Sequence, residues 1–121
     1  MVSSQNHPPE VWRVDAGSDS VAHLHIPTLL ERRRILDVDV TLLVNVPEGA
    51  NGAWHELTVE FDGLTQWTRR VESHNAGSTD GLDYHQRVRL EVEQDLRVRA
   101  MVRAAGVAVK QLVIEAVEDP H

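Results

Sequence analysis

Residues 36–46 alternate almost without a break. Leu36, Val38, Val40, Leu42, Val44 and Val46 are apolar, and of the residues between them only Leu43 is apolar too. Period two marks a strand with one face buried. In "AWHELTVEF" the matching face is Ala53, His55, Leu57, Val59 and Phe61. A hairpin through "PEGANG" then sets Val46 opposite Ala53, Leu42 opposite Leu57, Val40 opposite Val59 and Val38 opposite Phe61, so every buried position meets a buried one. A second hairpin is expected where Val88, Leu90 and Val92 face Leu96, Val98, Ala100 and Val102 across a loop at 93–95.

Apolar runs separated by Gly, Pro, Asn and Asp predict further strands, placing eight near 10–15, 20–26, 36–46, 53–62, 64–73, 84–93, 96–104 and 107–117. In the last of these, Val107 and Val109 differ in parity from Leu112, Ile114 and Ala116, which calls for a bulge near Lys110-Gln111. The stretch "IPTLLERRRI" admits one helical turn near residues 28–34. Val98, Val102, Ala105, Val109, Leu112, Val113 and Ala116 also fit a helical stripe, but Gly106 and the β-branched content favour strands. The expected fold is therefore all-β: a single-domain antiparallel β-sandwich of seven or eight strands over 10–118, after a polar, disordered tail at 1–9. The alternative is an α+β fold with a C-terminal helix packed on the sheet.

Charge changes this picture. The first hairpin would set Asp37 opposite Asp62 and Asp39 opposite Glu60, and directly opposed like charges are destabilising. The second carries Arg87, Arg89, Arg97, Arg99 and Arg103 on its outer face, five of the eleven arginines. Compensation between neighbouring strands is the expected outcome. The rival is a pair of complementary faces that meet between subunits or on a partner.

Composition narrows the function classes. The 121 residues suit one domain, and there is no cysteine, so any metal would be held by His, Asp and Glu. A formal net charge of −7 argues against nucleic acid as a partner. No apolar run approaches the roughly 18 residues of a membrane span. The opening "MVSSQNHPPEVW" lacks the features of a secretion signal, so a cytoplasmic protein is expected.

His23 and His25, in "HLH", share one face of a strand whose other face is Ala22, Leu24 and Ile26. With Gly17 they resemble the opening of the first cupin motif. Glu31 falls one place late for the next ligand, and Val38 stands where a glycine is expected. The second cupin motif is matched only by Pro47 and Gly49, with His55 three positions too far on. What the resemblance implies is a small metal-dependent enzyme with His23, His25 and His55 as ligands and Glu31 as a possible fourth. By parity, however, His55 points inward beside Leu57, as a partly buried histidine bonded to backbone or water, while the other two point outward.

The segment "SHNAGSTDGLDYH" gathers His74, Asp80, Asp83, Tyr84 and His85, and long loops on β scaffolds often bind. Trp54 has outward parity, where it could stack a sugar, anchor a partner or pack under a loop. No serine at a recognisable spacing supports nucleophilic catalysis. The function expected is a non-enzymatic binding or interaction module without a cofactor, using His74, Asp80, Asp83, His85, Arg87, Arg89, Arg97 and Arg99 toward a protein partner or a second copy. The metal-dependent enzyme is the alternative.

Overall fold

The structure is a computed structural model, and it describes residues 8–119. Its eight strands are β1 (Val11–Asp15), β2 (Val21–Ile26), β3 (Arg34–Asn45), β4 (Trp54–Phe61), β5 (Leu64–Glu72), β6 (Thr79–Leu90), β7 (Leu96–Ala105) and β8 (Ala108–Glu118). They form two four-stranded antiparallel sheets, ordered β1-β8-β3-β6 and β2-β7-β4-β5. Successive strands alternate between sheets, except β4 and β5, and the result is the double Greek key of a jelly roll. Neither the helical turn near 28–34 nor the C-terminal helix is present. Of the tail expected at 1–9, residues 1–7 lie outside the described residues.

Both expected hairpins are corrected. β3 pairs with β6 and β8, whereas β4 pairs with β5 and β7, so residues 46–53 form an arch from one sheet to the other. Likewise β6 and β7 belong to different sheets. The alternation identified the buried faces correctly: Leu36, Val38, Val40, Leu42, Val44, Leu57 and Val59 are all fully buried. It did not identify neighbours, because the inner faces of two packed sheets alternate in the same way as the two strands of a hairpin. Packed sheets stand about 10 Å apart, and Val40 and Val59 belong to the two facing sheets of one core rather than to one ladder.

The charges explain the rearrangement. In each sheet one acidic strand lies beside one basic strand. Asp37 stands opposite Arg87 and Asp39 opposite His85 in the first sheet. In the second, Glu60 stands opposite Arg99 and Glu56 opposite Arg103. The like-charge rungs that a β3–β4 hairpin would have created do not form, and neighbouring-strand compensation is what the fold adopts.

One sequential hairpin remains. β4 and β5 join through Asp62-Gly63, both with positive φ (53° and 82°), the backbone of a type I′ turn. The expected bulge in β8 is present: Leu43 pairs with Gln111 and Val44 with Val109, so Lys110 is the extra residue. On the β5/β6 side the sandwich is closed by Trp67 stacked on Tyr84, with ring centroids 5.1 Å apart.

Candidate functional site

β2 and β7 are neighbours in register, with His23 opposite Arg99 and His25 opposite Arg97. The inner parity of both strands is taken by Ala22, Leu24, Ile26, Leu96, Val98 and Ala100, all buried. The imidazoles and guanidiniums are therefore displayed together on the outer face of the second sheet. There they border a groove of about 260 Å³, completed by Glu60 from β4 and Gly63 from the β4–β5 turn.

The groove is only loosely neutralised. Arg97 Nε stands 3.7 Å from Asp95, and Arg99 Nε stands 3.8 Å from Glu60. Both guanidinium groups are exposed, and pairs of that length in solvent contribute little. His25 is held more firmly, with Nε2 2.8 Å from Asp95 Oδ2. That hydrogen bond, more than any other influence, keeps the Asp95 carboxyl below its ordinary value. His23 has no ion-pair partner among the described residues.

The three histidines of the metal alternative are not brought together. His55 lies on the inner face of β4, fully buried, and shares a 2.7 Å hydrogen bond with Ser73 Oγ through Nδ1. Its Nε2 has no partner. Among the described residues no group of three or more His, Asp or Glu side chains is placed to hold a metal ion.

The loop site expected at 74–85 is also redistributed, because β6 begins at Thr79 and leaves only 73–78 as loop. His74 donates its backbone N–H to Asp80 Oδ2 (3.1 Å), which makes Asp80 a turn-fixing group. Asp83, His85, Arg87 and Arg89 have outer parity on β6, in the first sheet. His85 sits between Asp39 (2.9 Å) and Asp37 (3.6 Å), Arg87 pairs with Asp119, and Arg89 reaches Glu91 only at 4.0 Å. The eight expected binding residues thus divide between two opposite faces and one end, and only Arg97 and Arg99 share a groove with the histidine pair. Trp54 stands opposite Glu72 and Ala105, and the Arg70 guanidinium covers it 3.7 Å above the ring.

No family model matches the chain, and no curated protein matches it either. Solved structures do. The chain is similar to dimeric latent PorU from Porphyromonas gingivalis at 10% identity and a TM-score of 0.59, over 92% of this chain and 12% of that one. It is similar to Eiger TNF from S. frugiperda at 12% identity and a TM-score of 0.52, over 93% and 94% of the two chains. It is similar to the VP2 subviral particle protein of infectious bursal disease virus at 13% identity and 0.53, over 90% of this chain and 32% of that one. At such identities the likeness is one of fold. This chain spans less than a third of the PorU chain and about a third of the VP2 chain.

Sequence reasoning missed two features. Glu60 completes the groove, yet with the hairpin misassigned it was set opposite Asp39 rather than Arg99. At one end of the sandwich, Arg34 is buried and donates to Glu10 Oε1 (2.8 Å) and to the Pro27 carbonyl (2.9 Å). Beside it Arg32 forms a two-pronged pair with the buried Glu118 (2.8 and 3.2 Å). The signal for Arg34 was available: it shares the parity of Leu36 and Val38, so an extended β3 points it inward.

Proposed function

We propose that the chain is a non-enzymatic binding module that takes a small anion-bearing ligand in the β2–β7–β4 groove. The observation that supports this reading is the pair of adjacent rungs, His23–Arg99 and His25–Arg97, beside a concavity of about 260 Å³. Two guanidiniums held on neighbouring positions of one strand face suit a carboxylate or phosphate, whose oxygens accept charge-assisted hydrogen bonds. The sheet behind them is rigid and its buried face is complete, so ligand binding demands no rearrangement of the core.

The test is an amide chemical-shift titration of the full chain with inorganic phosphate, succinate and a neutral sugar as separate probes. Shifts confined to residues of β2, β7 and Glu60, seen with the anions and weakened by salt, are the expected result. The double variant Arg97→Ala/Arg99→Ala loses them while its melting temperature stays close to that of the parent, since both side chains are exposed. Anion-induced shifts that map elsewhere, or none at all, overturn the proposal.

A further inference from the structure

A concavity of about 540 Å³ opens beside the C-terminal end of β7, lined by Ser20, Trp54, Val102, Arg103, Ala104 and Val109. It exists because β2 and β7 stop pairing there. Their last rung is Val21–Met101, and one further bond runs from the Val102 N–H to the Ser20 carbonyl (2.8 Å). The chain before Ser20 turns away to β8, where Ala16 donates to the Leu112 carbonyl (2.8 Å) and Leu112 to the Gly17 carbonyl (3.0 Å). Backbone groups of successive strand residues point to opposite sides, so Ala104 directs its N–H and C=O to the same side as Val102. That is the side β2 has left, and no ladder meets Ala104 there.

Trp54 is the aromatic wall of this concavity. It is half-buried on β4, between β5 and β7 in the sheet. From β5 the Arg70 guanidinium lies over the ring, and Arg70 Nε donates to Glu56 Oε1 (3.0 Å), which fixes it in place. The other lining residues all come from β7 and the segments beyond it, so the open volume lies on the β7 side of the indole. Arg103 stands on the same rung as Glu56, but the carboxylate is taken by Arg70. Arg103 is exposed and forms no ion pair among the described residues. An indole, an uncommitted guanidinium, the Ser20 hydroxyl and the free backbone groups of Ala104 thus border one space.

We propose that this concavity binds a neutral saccharide, stacked on Trp54 and hydrogen-bonded by Arg103, Ser20 and the Ala104 backbone. Its volume falls within the range of small-molecule sites, about 300–1,000 Å³. A pyranose ring has an apolar C–H face to lay on the indole and a rim of hydroxyls that both donate and accept. A plain aromatic ligand would stack equally well but leave the polar rim without partners. A small anion would gain a single guanidinium, with Glu56 on the same rung, and would leave the indole unused. The inference does not depend on the anion groove, with which the concavity shares no lining residue.

Amide and indole chemical shifts of the full chain, followed during titration with the methyl glycosides of glucose, galactose, mannose and xylose, test it. At least one glycoside should move the Trp54 indole signal and the amides of residues 102–104 in a saturable way. Trp54→Ala should weaken that binding about tenfold or more, as loss of an aromatic anchor does. Because Trp54 also packs against Arg70, Arg103→Ala is the variant that separates binding from folding. It should melt with the parent and still weaken the glycoside severalfold, since Arg103 is exposed and unpaired. The Arg97→Ala/Arg99→Ala chain should bind the glycoside as the parent does, and inorganic phosphate should leave the Trp54 indole unmoved. No saturable shift with any of the glycosides overturns the proposal. So do shifts that map away from Trp54, binding indifferent to Arg103→Ala, or binding lost with the Arg97/Arg99 pair.

Discussion

His55 and Ser73 share a 2.7 Å hydrogen bond where β4 begins and β5 ends, and among the described residues that bond is the only hydrogen bond of a fully buried imidazole. The second ring nitrogen, Nε2, is orphaned in the core. An unpaired buried polar atom costs about 1–3 kcal/mol, so His55 sits in a state that only the Ser73 hydroxyl makes tolerable. Ser73 lines an open polar pocket, where water can satisfy its hydroxyl if the imidazole is removed.

The two residues should therefore respond unequally. Ser73→Ala leaves both ring nitrogens unpaired and is expected to lower stability by about 1–3 kcal/mol. His55→Leu fills similar space, removes the orphan and should lie within about 1 kcal/mol of the parent or above it. His55→Ala opens a cavity and should cost about 2–4 kcal/mol. Urea titrations of the three variants check the order, and a His55→Leu chain less stable than Ser73→Ala would refute this account.

Gly81 tests the β3–β6 contact. A Cβ built at this position would stand 2.7 Å from the Leu42 carbonyl oxygen and 3.2 Å from Leu43 Cδ2. Backbone cannot step aside as a flexible side chain can, so Gly81→Ala must spread the two strands. A loss of about 1–3 kcal/mol is expected. Gly63→Ala is the contrast: nothing stands within 4 Å, and only its φ of 82° penalises the change, by about 1–2 kcal/mol. Hydrogen exchange of the β3 and β6 amides around residue 81 should accelerate by more than the change in global stability in the Gly81 variant, and by no more than that change in Gly63→Ala.

Arg34 offers a larger effect. It is 2% exposed and bonded to Glu10 and to the Pro27 carbonyl. Removing one partner of a buried ion pair costs about 3–5 kcal/mol, because the other charge loses its counterpart. The Glu10 side chain keeps 22% of its surface, so water partly compensates there. Glu10→Gln strands the buried guanidinium and should approach that cost. Arg34→Ala leaves only the partly solvated carboxylate and should cost less. Denaturant midpoints of the two variants give the ranking, and equal losses would count against the burial argument.

The pH dependence has a definite sign at Asp95. His25 holds the folded carboxyl below its ordinary value of 3.8. A depressed carboxyl contributes stability that is fully present above the ordinary value and lost as the pH falls through the lower folded one. The difference in melting temperature between the parent and Asp95→Asn should therefore shrink as the pH falls below 3.8. His25→Ala should reduce the difference at pH values above 3.8, where the carboxylate is ionised. A difference that grows on acidification would contradict the assignment.

Much of the fold was legible before any coordinate. Period-two alternation located all eight strands, named the core from Leu36 to Phe61, at Leu90 and from Leu96 to Val102, and required the bulge near Lys110-Gln111, but it set Val92 inward, whereas β6 ends at Leu90 and leaves Val92 exposed in the loop that follows. It works because facing is a local property: each residue's side follows from its place in the pleat. The first hairpin failed for a related reason, since two strands whose apolar faces match may be ladder neighbours or may face each other across the core. The opposed acids at Asp37/Asp62 and Asp39/Glu60 were the one local objection to that hairpin. With their repulsion given more weight, the arch between sheets becomes the better solution.

The candidate site was less legible. Its members come from β2, β4 and β7, and no spacing along the chain encodes that His23 will stand opposite Arg99. The "HLH" pair, Arg97 and Arg99 were visible as outward residues of separate strands, and His55 was visible as inward. What each would meet was not. Alternation and charge in the sequence determined which side chains the core takes and which the solvent sees. Strand order decided the rest: it turned acidic and basic strands into alternating neighbours, gathered two histidines and two arginines on one outer face, and sealed His55 inside with a single serine. Facing is settled within a few residues, whereas neighbours depend on how strands far apart in the chain close two sheets over one core.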